Sequence, residues 1–135
     1  MKILLNRGNL VNAKSYPFWE ELLPMLGDHE VKEIKGILTE KELGDLVNWS
    51  DVWCSIDSFL PHFVSFNKLK RGIVLWGLSD PKVFGYETNI NLLGNKKYLR
   101  PDQFLWWKDV PNCPESFVTA KTLYKAIIDS QKVDL

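Results

Sequence analysis

Two apolar runs of strand length, Asp51-Val-Trp-Cys-Ser-Ile56 and Gly72-Ile-Val-Leu-Trp76, stand one helix-length segment apart in the chain. Each run ends in small or acidic residues, and the segment between them is rich in phenylalanine, so the stretch predicts a β-α-β unit. Two parallel strands joined by a crossover helix commit the rest of the chain to covering both faces of a sheet. The expected fold is therefore α/β, a single Rossmann-like three-layer domain with a short parallel sheet. In such a sheet the loops beyond the carboxyl ends of the strands hold the ligand. This puts Asp57 to His62 and Gly77 to Asp80 on one rim.

The neighbouring segments agree. Lys2 to Leu5 predicts a first strand, and Asn6-Arg7-Gly8-Asn9 a turn after it. Pro17 suits the start of a helix running to Leu26, with Phe18, Leu22 and Met25 on one face and Gly27 as the stop. Glu30 to Ile34 predicts a short strand, and Thr39-Glu40-Lys41-Glu42 a capping box opening a helix through Leu43, Leu46 and Val47. Ser58 is placed to cap the central helix, with Phe63 and Phe66 toward the core. The cations Lys68, Lys70 and Arg71 suit a helix carboxyl end. Val83 to Asn89 reads as loop or short strand, and Asn89 to Leu93 as the last strand. The domain divides into a β/α core over 1–96, a Pro- and Trp-rich connection over 97–114 containing Trp106-Trp107, and a C-terminal helix over 115–131 with Phe117, Ala120, Leu123, Tyr124 and Ile127 along one face.

Composition narrows the function classes. Seventeen basic residues balance seventeen acidic ones, so no global field draws the chain to nucleic acid or to an anionic membrane. No apolar run reaches membrane-spanning length and Asn6 and Arg7 interrupt the apolar N-terminus, so the expectation is a cytoplasmic protein without a membrane span. Cys54 and Cys113 are expected to be reduced. Together with His29 and His62 they match none of the paired spacings of zinc sites, so no metal or cofactor is expected. Cys54, inside an apolar strand, is no candidate nucleophile, and neither a dinucleotide fingerprint nor a P-loop is present.

The rim motifs resemble the C-terminal, nucleotide-sugar-binding domain of the family 9, heptosyltransferase-like glycosyltransferases. There a strand ends in Asp-Ser/Thr-Gly with a His five residues after the Asp, and the next strand ends in Gly-Pro-Thr-Asp-Pro. Asp57, Ser58 and His62 match the first motif, and Gly77, Ser79, Asp80 and Pro81 match most of the second. Phe59 stands where the family has Gly and Leu78 where it has Pro. The resemblance implies one half of a GT-B glycosyltransferase, with Lys14 in Lys14-Ser-Tyr-Pro17 and the two loops on the diphosphate of a nucleotide sugar. The family's ribose-holding Glu has no equivalent that aligns between Gly27 and Gly36.

Two functions stay open on the residues. One is a donor-binding domain that uses Lys14, Asp57, Ser58, His62, Gly77, Ser79 and Asp80, and that needs a partner subunit or a second copy to supply the acceptor half. The other is a non-catalytic binding or protein-interaction module that has kept the fold and lost the full donor site. A helix start with open amides and one nearby histidine suits binding an anion better than reacting with it.

Overall fold

A computed structural model describes residues 1–8, 12–104 and 110–132 of the chain. Strands β1 (Lys2–Asn6), β2 (Glu30–Glu33), β3 (Val52–Ile56), β4 (Ile73–Trp76) and β5 (Ile90–Leu93) form one sheet. All pairings are parallel and the order is β2-β1-β3-β4-β5. This confirms the Rossmann-like α/β domain. The chain leaves β1 toward β2 and returns to the other side of β1 at β3, so the winding reverses between β1 and β3. That reversal opens a crevice at the carboxyl ends of the two strands.

The strands are apolar on both faces because helices cover both. Ile3 and Leu5, Val52, Cys54 and Ile56, and Ile73 and Leu75 point to one side, where α1 (Trp19–Met25) and α5 (Ala120–Asp129) lie over them. Leu4, Trp53, Val74 and Trp76 alternate to the other side, under α2 (Glu40–Trp49) and α3 (Phe59–Phe66). A short helix, α4 (Pro81–Phe84), follows β4. Trp53 is completely buried, and its indole donates to the Lys70 carbonyl at 2.9 Å. A Cβ at Gly72 would lie 2.1 Å from that indole, so the turn into β4 requires glycine.

The capping box forms as expected: Thr39 Oγ1 accepts from the Glu42 amide, and the Glu42 carboxylate accepts from the Thr39 amide. Several expectations are corrected. Helix α1 begins at Trp19 and buries Trp19 and Leu22, with Leu26 buried just beyond its end and Met25 40% exposed. Its end agrees with the expectation: Leu26 is the C-cap and Gly27, at φ 30, turns the chain away. In α3 the buried face is Leu60, Pro61 and Val64, and Phe66 faces solvent. The segment after Pro81 opens with α4, because Asp80 caps it by accepting from the Lys82 amide. The C-terminal helix starts only at Ala120, where Thr119 caps it; Pro114–Ser116 is a separate 3-10 turn. Lys70 anchors the turn before β4 by donating to the Ser50 carbonyl, a structural role in keeping with its expected place. Trp106 and Trp107 lie outside the described residues.

Candidate functional site

The carboxyl ends of β1 and β3 lie side by side, with Asn6 in register with Ser55. Asn6 is the last residue of an otherwise apolar strand and is 2% exposed. Its Nδ2 donates to Ser55 Oγ at 2.9 Å and to Ser58 Oγ at 2.8 Å. One amide thus spans the crevice and ties the start of α3 to the end of β1. Buried polar groups are kept only where they are bonded, so this linkage holds the loop after β3 in one arrangement. Asn6 thus ends the strand and bridges the crevice, where its sequence context predicts a turn residue. The signal for its role was a single amide closing the apolar run Ile3-Leu-Leu5.

Ser58 stands in extended backbone, and no side chain caps α3. Its hydroxyl is taken up by Asn6 instead, correcting its expected role as the capping side chain. The first amides of α3, which form the positive end of the helix, are therefore not capped by the Ser58 side chain at the rim. Beside it, Lys14 Nζ lies 3.3 Å from Asp57 Oδ2, both side chains mostly buried. Lys14 closes a 3-10 turn, Asn12–Lys14, that carries it over the crevice. On the β2 side, Arg7 Nε meets Glu33 Oε1 at 3.1 Å and Arg7 Nη1 meets Glu20 Oε1 at 3.6 Å. A shallow cleft of about 290 Å³ opens there, lined by Arg7, Tyr16, Pro17, Trp19 and Glu20. Glu33 ends β2, so the stretch between Gly27 and Gly36 does bring an acid to the rim, in a place that topology reveals and motif alignment does not.

The remaining sequence candidates divide between two other surroundings. His62 is exposed on α3, with Nδ1 2.8 Å from the Tyr86 hydroxyl and the two rings edge to face. The Gly77 to Asp80 loop is covered by its own chain. The Asp80 amide donates to Gln103 Oε1 at 2.7 Å, Gln103 Nε2 donates to the Leu78 carbonyl at 3.3 Å, and the Arg100 amide donates to the same carbonyl at 3.0 Å. Ser79 is buried. A Cβ at Gly77 would lie 2.5 Å from the Phe117 ring, so the glycine admits that ring to the end of β4. Lys14, Asp57 and Ser58 are thus joined with Asn6 at the crevice, whereas Gly77, Ser79 and Asp80 serve the adjoining loop.

Burial pushes the Cys54 thiol well above its ordinary value, which keeps it protonated and inert. Among the described residues no group of three or more His, Cys, Asp or Glu side chains is placed to hold a metal ion. No disulfide forms between Cys54 and Cys113. No helix among the described residues is long and apolar enough to cross a membrane.

No family model and no curated protein sequence matches the chain. Among solved structures, the chain is similar to the dodecameric iron-containing heptosyltransferase TibC, crystallised in complex with ADP-D-beta-D-heptose. The similarity has a TM-score of 0.68 at 15% identity, over 95% of this chain and 44% of that one. The chain therefore spans less than half the length of this neighbour, and the likeness establishes the Rossmann-type fold alone.

Proposed function

We propose that the crevice over β1 and β3 binds the diphosphate of a nucleotide sugar or nucleoside diphosphate, and that the chain acts as the donor-binding half of a glycosyltransferase. The observation that carries this reading is the convergence of Lys14, Asp57, Asn6 and Ser58 at the winding reversal, beside the start of α3. A phosphate there meets the positive end of a helix and one ammonium group, the two devices that hold such anions without chemistry. His62 lies one turn further along α3; with Nδ1 accepting from the Tyr86 hydroxyl, Nε2 carries the ring proton and can donate it to a phosphate oxygen. Glu33 at the end of the strand beside β1 takes the position from which an acid accepts ribose hydroxyls in doubly wound folds. The heptosyltransferase of similar fold holds ADP-heptose, which supports the same ligand class here. Transfer would draw its acceptor half from a partner subunit or a second copy, in the cytoplasm.

Two observations favour the second reading, a binding module without transfer. Gln103 and Arg100 occupy backbone groups of the Leu78 to Asp80 loop, and Phe59, 52% exposed, stands at the start of α3 where glycine would admit a phosphate more closely. Isothermal titration of the chain with nucleoside diphosphates and nucleotide sugars, checked by thermal shift, separates the two. Micromolar binding lost on Lys14→Met supports the donor site. No binding across the panel overturns it.

A further inference from the structure

Phe66 projects from the last turn of α3 and is 88% exposed. Next to it lies an open groove of about 350 Å³ lined by Glu40, His62, Phe63, Phe66, Asn67 and Tyr86. The outer side of a helix on an α/β sheet is ordinarily polar, yet from Phe59 to Phe66 this helix carries no Asp, Glu, Lys or Arg. Charge resumes at the margins. Glu40 is exposed on the groove wall at the start of α2, and Lys68 is exposed just past α3 in left-handed backbone at φ 53. Neither makes an ion pair among the described residues.

We propose that this face is a homodimer interface, in which two copies of the chain meet across a two-fold axis, each Phe66 seated in the other's groove and each Lys68 opposite the other's Glu40. An isologous contact needs a projection and its receptor on the same patch, and Phe66 lies beside the groove it would fill. Across a two-fold axis every group near the centre faces its own kind, so a charged helix would repel itself. The uncharged run from Phe59 to Phe66 avoids that, and opposite charges at the margins set the direction of pairing. One aromatic anchor per copy makes a small interface, below roughly 1,200 Å² in total, of the size that associates reversibly. The proposal shares one residue with the nucleotide reading, His62, which lines the groove while Lys14 and Ser58 do not; association measured without nucleotide tests it separately.

The test is sedimentation of the full chain without nucleotide, from ~1 µM to ~500 µM, the range a small interface requires. The mass is expected to rise from the 15.7 kDa monomer toward the dimer with concentration. Phe66→Asp is expected to raise the dissociation constant about 30-fold or more, as loss of a central anchor does. Since Phe66 is outside the core, its circular dichroism and melting should match those of the parent chain at low concentration. Lys68→Glu should weaken association, and Glu40→Lys added to it should restore it. A monomer at every concentration overturns the proposal, as does association indifferent to Phe66→Asp; a charge exchange that restores nothing overturns the arrangement.

Discussion

Lys14 Nζ and Asp57 Oδ2 meet at 3.3 Å across the crevice between β1 and β3, with little of either side chain open to water. A phosphate binding here shares an ammonium group that is already partly neutralised. Lys14→Met should therefore weaken nucleoside diphosphate binding by about 1.5 to 3 kcal/mol, the range for bonds to a charged group. Asp57→Asn, of the same shape, removes the competing anion and should tighten it. Titration calorimetry reads both, and weaker binding by Asp57→Asn would mean that the carboxylate itself holds the ligand or the loop.

The His62 imidazole is fixed by the Tyr86 hydroxyl at 2.8 Å. His62→Ala is expected to cost about 1 to 3 kcal/mol of diphosphate affinity, and Tyr86→Phe less, since it loosens the ring and leaves Nε2 in place. Equal affinity for His62→Ala and the parent chain would remove the histidine from the site.

At the end of β4, Gly77 faces the Phe117 ring, with 2.5 Å between an added Cβ and the nearest ring carbon. Gly77→Ala should destabilise the fold by about 1 to 3 kcal/mol, as overfilling a packed interior does. Phe117→Leu in the same chain should return part of that loss. Urea midpoints of the two single variants and the double variant measure the coupling, and strictly additive losses would place the strain elsewhere.

Tyr16 is buried between α1 and Phe117, its hydroxyl donating to the Val118 carbonyl at 3.0 Å. Burial, with the Glu21 charge next in weight, raises its pKa well above the ordinary 10.0. The neutral form is thus favoured in the fold, and above pH ~10 the unfolded chain loses a proton that the folded chain keeps. Stability is expected to fall there by up to about 1.4 kcal/mol per pH unit from this group. Tyr16→Phe should be less stable at neutral pH by about 1 kcal/mol for the lost hydrogen bond, yet lose less on going to pH 11. Parallel pH profiles for the two chains would exclude Tyr16 as the source.

Regular elements were legible where local chemistry and burial agree. The runs at 52–56 and 73–76 were recognisable because a strand covered on both faces is apolar throughout, and the Thr39 to Glu42 cap because its bonds are made within one turn. Phe66 and Met25 lie at the surface, where helical spacing alone predicts core, for the opposite reason. An apolar residue at helical spacing is assigned to the core by default, and which side of the helix meets the sheet depends on where the helix is docked. Helix α5 starts later than its pattern predicts, because Glu115 and Phe117 fit a helical period that Pro114–Ser116 interrupts with a separate turn.

Residue periodicity and groups near one another in the chain suffice to specify the β-α-β unit, the α/β class and the rim on which Asp57, Ser58 and Asp80 lie. The bond from Asn6 to Ser58, the pairing of Lys14 with Asp57, the arrival of Glu33 at the same rim and the closure of the Gly77 to Asp80 loop by Gln103 emerge from folding alone. Each of these joins segments distant in sequence. Their meeting is set by strand order, above all by the reversal between β1 and β3, and no local pattern encodes which strand ends a sheet brings side by side.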